Sequence, residues 1–438
     1  MSDTTITTFD ERALASLPEA AGFTGPVRKQ AFEEFLALPV PSQSTEEWRY
    51  TDLSGLELSF DPYTPGGRAE NLDGVPDDIQ AAVGPVGERA GLQIQHNSDV
   101  MLTHLEPSLA DKGVIFTDLD AAAATHPDLV AASLHRLVPT ARTKFTALHG
   151  AFRAGGTFLY VPRDTVVELP LQTLTWVDAD GAAVFPHTLI VVEAGAEVTF
   201  IDRYASPPLT RALSDAVTEI VVGDGAHVQY AAIQDWGAGM THLSVQRAEV
   251  GRDAELRTLS VGFGADLARS ETEVILAGSG GFSEQLGVFF ADGHQHFDHR
   301  SIQDHVAPSC TSDLLYKGAL RDHSRAVYSG WVHVRPDAQK TNAMQTSRNI
   351  VLSEHAKADA IPNLEIEAND VRCGHAASVG PVDEETVFYL QSRGIPAAEA
   401  ERLIVTGFFQ EVLDRVRIHE VRENAEAAIA RELAEGIR

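Results

Sequence analysis

Between about residues 141 and 372, short runs of alternating Val, Ile, Phe and Tyr are cut by Gly, Asp and Ala. Alternation with a period of two marks strands, and the small polar breaks mark turns. A loose repeat emerges when the small residue of each break is aligned: apolar, three residues, Ala or Ser, one residue, apolar. It fits Val192 with Ala196 and Val198, Val222 with Ala226 and Val228, and Val250 with Ala254 and Leu256. It recurs at Leu320 with Ser324 and Ala326, and at Leu352 with Ala356 and Ala358. Val334 with Ala338 fits too, although Lys340 breaks its third position. The small residues lie 14 to 30 residues apart, save for one long gap between Ala254 and Ser324. A stacked solenoid accounts for this, because neighbouring backbones approach closely at its corners. A β-sandwich also has many short strands and turns, so pattern alone leaves both open, with the parallel β-helix preferred.

The flanks have the helical period. Val27, Phe32, Phe35 and Leu36 fall roughly on one face of a segment that opens at Pro26. Residues 62–90 are rich in Pro, Gly and Asp and read as loop. The run 113–119 reads as a strand leading into a helix over about 120–137. Near the C-terminus, Asp383 is a natural N-cap for a helix ending at Gly394, and Pro396 opens another. In that second helix Ile404, Phe408, Val412 and Val416 recur every four residues, beside Phe409 and Leu413. After His419 the Glu, Ala and Arg content predicts an exposed helix. The expected division is a helical and mixed region over 1–140, a β-helix over 141–372 and a helical region over 373–438.

Composition narrows the function. The chain has 438 residues, 44% hydrophobic, enough for two or three domains and a large core. No run of about 18 apolar residues is present, so no membrane span is expected. The start of the chain has no apolar signal-like stretch, and a cytoplasmic location is expected. Net charge is −29, and Lys occurs at only six positions. That excludes a phosphate-binding face and hence nucleic acid. Either a cationic partner or a surface adapted to high salt explains the acidity; its even spread favours the second. The two cysteines, Cys310 and Cys373, rule out a disulfide framework.

Cys373 and His375 lie two apart. In an extended segment they share one side, so one metal sees both. The competing reading is a buried free thiol beside a hydrogen-bonding imidazole. A second group is His294, His296, His299 and His305, with Asp298 and Asp304 between them. His294 and His296 are expected on one strand face. A divalent metal site and a structural histidine ladder both fit, the ladder better. Cys310 reads as a core or corner thiol. Arg393 either pairs with a carboxylate at an interface or caps its own helix. No Gly-Lys dipeptide occurs, so no nucleotide-binding P-loop is expected.

The stretch Asp370-Val-Arg-Cys-Gly-His-Ala-Ala-Ser-Val-Gly, followed by Phe388-Tyr-Leu-Gln-Ser-Arg-Gly, resembles the signature of the SufB/SufD family of iron–sulfur cluster assembly scaffolds. The usual form has Gly-Ala-Thr after the His; here Ala376, Ala377 and Ser378 stand there. The segment Glu46-Glu-Trp-Arg-Tyr-Thr resembles the N-terminal motif of the SufD branch. The resemblance covers most of the chain. It implies a right-handed parallel β-helix core and a non-catalytic scaffold, and a haloarchaeal source is expected. It implies a heterocomplex with a SufB-like sister chain and a SufC-like ATPase, which would dock the helices from Asp383 to Ile418. A transient cluster would then form at the subunit interface, with His375 as the first candidate ligand and Cys373 as the second. Phe388, Tyr389 and Arg393 are candidate interface residues. Two rival readings remain. One is a SufB-like scaffold binding a cluster as a homodimer, against which the low cysteine count and the Trp48 motif argue. The other is a β-helical polysaccharide lyase or hydrolase, which would want clustered acids and a secretion signal.

Overall fold

The computed structural model describes residues 7–84 and 89–435. Helix α1 (Glu11–Ser16) is capped by Asp10, whose carboxylate accepts from the Arg12 and Ala13 amides. Helix α2 (Thr24–Ala37) buries Phe32 and Phe35 as expected. Leu36, expected beside them, is exposed, because one residue on an α-helix turns it about 100° from Phe35. The segment expected as loop contains α3 (Asp77–Val83), which buries Ile79 and Val83. Pro76 and the acidic first turn start it, a signal outweighed in the sequence by the surrounding Pro, Gly and Asp.

Strands β1 (Gly91–His96) and β2 (Asp99–Leu105), helix α4 (Pro107–Asp111) and strand β3 (Ile115–Asp118) follow. The single helix expected over 120–137 is two, α5 (Leu119–Thr125) and α6 (Pro127–Ala131). Pro127 divides them, since proline lacks the amide a continuous helix needs. Helix α7 (Lys144–Phe152) starts on a reciprocal Thr143–Thr146 cap.

The remaining strands coil. They are β4 (Thr157–Val161), β5 (Leu171–Trp176), β6 (Ala183–Val184), β7 (His187–Val192), β8 (Glu197–Ala205), β9 (Ala212–Val222), β10 (His227–Trp236) and β11 (Met240–Val250). Then come β12 (Glu255–Gly264), β13 (Leu267–Leu276), β14 (Phe282–Ala291), β15 (His296–His305), β16 (Thr311–Leu320), β17 (Arg325–Val334), β18 (Asn342–Val351), β19 (Lys357–Ile366) and β20 (Arg372–Pro381). The chain alternates between two sheets. The first runs β2-β1-β5-β8 and then through the even strands to β20; the second runs β3-β4-β7 and then through the odd strands to β19. Pairing is parallel along both stacks, with antiparallel β1–β2 and β3–β4 at one end. This is a parallel β-helix. The last coil is closed by β20, so Cys373 and His375 belong to the solenoid, and helix begins only at Glu384.

Register explains the loose repeat. Glu197, His227, Glu255, Phe282, Thr311, Asn342 and Arg372 form one row, with successive differences of 30, 28, 27, 29, 31 and 30 residues. The small residues immediately before five of these, Ala196, Ala226, Ala254, Gly281 and Cys310, stack at the corner leading into the first sheet. Ser324 and Ala356 sit at the opposite corner, before β17 and β19. Two corner stacks had been aligned as one, and the gap after Ala254 is filled by Gly281 and Cys310. Inside the stack polar groups are paired: Asp202 accepts from the hydroxyls of Thr173, Thr188, Tyr204 and Tyr230 at 2.6–3.0 Å. Burial raises the Asp202 carboxyl, and these four donors oppose that shift.

Helices α8 (Glu384–Ser392), α9 (Ala397–Leu413) and α10 (His419–Glu435) close the chain. Val405, Phe409, Val412 and Leu413 of α9 pack on the outer face of the first sheet, against Leu286, Val288 and Phe290. The buried stripe therefore runs one residue later than Ile404 and Phe408. Helix α10, expected to be exposed, buries Val421, Ala425, Ile429 and Leu433 in the same cluster. Its stripe is thin in large side chains, so composition masked it. Lys317 anchors α9, donating to the Phe408 carbonyl at 2.7 Å and pairing with Glu411 at 2.6 Å.

Ala226 is fully buried between Ala196 and Ala254 at the corner. Ala226→Leu is expected to lower the unfolding free energy by about 1–3 kcal/mol through overpacking. Denaturant unfolding checks this; an unchanged midpoint would show that the corners tolerate bulk.

Candidate functional site at the uncovered last coil

Strand β20 pairs with β18 on one side, and β19 pairs with β17; among the described residues neither has a strand beyond it. The register sets Cys373 beside Ala343 and His375 beside Gln345. Ala343 and Gln345 are buried between the sheets. Cys373 and His375 therefore share the inner side of the last coil, as their spacing predicts. No further coil among the described residues covers that side. His375 is exposed, and Cys373 is half-buried against Leu364, Val371 and Ala343. Gly374 between them leaves room for Met344, whose Sδ would lie 3.1 Å from a Cβ at that position.

Burial pushes the Cys373 thiol up from its ordinary value, opposed by a hydrogen bond from the Ala343 backbone. At neutral pH it is held as the thiol. Cys310 is wholly buried at its corner, 3.2 Å from the Gly278 carbonyl, and burial raises it also. It is a corner thiol held by backbone groups. The same end of the solenoid carries exposed Met344, Ile366 and Val379. Sequence reading missed these three, because apolar residues in alternating strands look like ordinary core.

The histidine group does not converge. His294 is not on a strand face with His296: it lies exposed in the turn before β15. Gly293 and the Asp292–Gln295 hydrogen bond make that turn. His296 points outward with Asp298 and Arg300, whereas His299 and His305 point inward. His299 packs against Phe289 at 4.7 Å, and burial pushes its imidazole down to about 4. His305 bonds to the Ser312 hydroxyl at 2.8 Å and is pushed down to about 4 by burial. Both are neutral interior groups. Among the described residues no three His, Cys, Asp or Glu side chains are gathered to hold a metal ion.

The Trp48 motif is a clamp. Arg269 of β13 lies 4.0 Å over the Trp48 ring, pairs with Asp298 of β15 and donates to the Glu47 carbonyl. The Thr51 hydroxyl also donates to Asp298. These contacts hold the segment 46–51 on the outer face of the second sheet. Beside it is a cavity of about 400 Å³ lined by Arg142, Arg247, Glu271, Glu273, Arg300 and Trp331 among others. Arg142–Glu271 and Arg247–Glu273 pair within it.

On α8, Phe388 is 72% and Tyr389 56% exposed. Arg393 caps the helix and lies 5.2 Å over the Tyr389 ring. Within this chain Arg393 meets the end of its own helix and the Tyr389 ring, and its guanidinium remains exposed.

Two family models match: the SufBD protein N-terminal region over residues 6–173 and the SUF system FeS cluster assembly, SufBD core domain, over residues 175–408. The chain is 33% identical over 414 residues to the iron–sulfur cluster assembly protein SufD of Bacillus subtilis, covering 93% of each. It is 35% identical over 410 residues to an iron–sulfur cluster assembly SufBD family protein of Mycobacterium tuberculosis, covering 91% of this chain and 90% of that protein. A SufBD family protein of Staphylococcus saprophyticus is 31% identical over 412 residues.

In the native chain a maleimide is expected to label Cys373 but not Cys310. The rate should climb as pH rises through the alkaline range, because a raised thiol pKa leaves little reactive thiolate at neutral pH. A flat pH profile, or native labelling that survives Cys373→Ser, would contradict the placement of the two thiols.

Proposed function

Because the chain belongs to the SufBD family of iron–sulfur cluster assembly proteins, we propose that it is the SufD-type scaffold, lending His375 and Cys373 to a nascent cluster completed by a SufB-like sister chain. One observation carries this reading: the two side chains lie together on the uncovered side of the last coil. A cluster usually takes about four thiolate or imidazole ligands. This chain brings two to that place, since Cys310 is buried elsewhere. The rest come from outside, and the cluster is transient and shared.

The open edges of β19 and β20 suit a partner that continues both ladders. Met344, Ile366 and Val379 give that contact an apolar component. The Trp48 motif, the two-cysteine count and the SufD relative support the SufD branch. The exposed Phe388, Tyr389 and Arg393 are the proposed contact for a SufC-like ATPase, which supplies the nucleotide chemistry this chain does not perform. The same edges offer a second copy of the chain an equivalent fit, so a homodimer forms when the sister chain is absent. The cytoplasm is the proposed location, since thiols persist reduced there. No helix among the described residues is long and apolar enough to cross a membrane.

The test is coexpression with the SufB-like and SufC-like chains of the same host. His375→Ala is expected to leave the fold and the complex intact, because the ring is exposed, while bound iron and the visible cluster absorbance fall to background. Wild-type iron in that variant would overturn the assignment.

A further inference from the structure

A second set of imidazoles lies at the corner between the first and second sheets. His294 follows β14, His323 follows β16 and His355 follows β18. Their numbers differ by 29 and 32, one coil each. Register therefore stacks them. The His294 and His323 rings are 5.1 Å apart at 10°, and the His323 and His355 rings 4.8 Å apart at 4°. All three are exposed. Their ring nitrogens bond to no other protein group among the described residues.

We propose that this ladder is a surface site for a divalent transition-metal ion such as Zn²⁺ or Cu²⁺, held by two imidazoles from adjacent coils, with water completing the sphere. Neutral imidazole is a preferred ligand of these ions. Metal–nitrogen bonds of about 2.0–2.1 Å place two neighbouring donors about 3 Å apart. The stack is wider than that, so the rings must tilt toward each other. Among the described residues no three donors converge beforehand. Exposed side chains on turns tilt with little loss of packing. The acidic chain, at −29, raises the local cation concentration. The site is separate from Cys373 and His375 and does not depend on their proposed role.

The ring of His323 belongs to both possible pairs, which makes the test specific. Zn²⁺ binding is measured by calorimetry on the full chain in a Cys373→Ser/His375→Ala background, so that the last coil does not contribute. Loss of an outer partner of a metal ligand already costs about 10–100-fold in affinity. His323→Ala, which removes a ligand, is expected to weaken Zn²⁺ by about tenfold or more. His294→Ala keeps the His323–His355 pair and should bind nearly as the parent does. The double variant His294→Ala/His355→Ala should be as weak as His323→Ala. With Cu²⁺, electron paramagnetic resonance should show imidazole nitrogen couplings that disappear in His323→Ala. No Zn²⁺ binding, or binding unchanged by His323→Ala, would overturn the proposal and leave the ladder as ring stacking only.

Discussion

In a stack of coils, each strand's ladder bonds run to the coil before and the coil after, so the two end coils are left with unmet donors and acceptors. This chain treats its ends differently. At the first end β2 and β3 turn antiparallel against β1 and β4 and shield the stack. At the last end, among the described residues, β19 and β20 carry no such cover. A bare edge is a hazard for a protein that acts alone and an asset for one that works in an assembly. The interior-facing side of β20, which would be core in any earlier coil, is surface here. His375 is exposed and Cys373 only half-buried for that reason.

The rest of the structure defends this arrangement. Apolar clusters cover both outer faces: α9 and α10 pack on the first sheet, and the Trp48 segment on the second. Buried ionic groups tie distant segments together, as with Arg269 held between Trp48, Asp298 and Glu47. Losing one member of such a set strands the others in a dry environment. Solubility at −29 is left to the surface carboxylates, while the cations are concentrated in pairs that tie elements together, such as Arg415 with Glu284 and Asp313.

Much of this was legible from the chain. The period-two runs and small corner residues spoke for a solenoid, and the Cys-x-His spacing for a shared side. What escaped had physical causes. The repeat looked irregular because Ser324 and Ala356 mark one corner and Ala196 to Ala254 the other. Cys310 and Gly281 fill corner positions that an Ala-or-Ser template passes over. Helix α10 hid because alanine buries well yet contributes little to an apolar pattern. His294 was misplaced because a turn at Gly293 broke the strand that the neighbouring histidines suggested. The ladder of His294, His323 and His355 spans three coils, and only register brings such distant positions together.

The clamp at Trp48 joins residues separated by more than two hundred positions, Thr51 and Asp298 being 247 apart. On the ribosome, the opening segment emerges long before its seat on β13 and β15 exists. It must wait, unlocked, while the coils are laid down one after another. Seating of the 46–51 segment thus waits on completion of β13 and β15 in the middle of the solenoid.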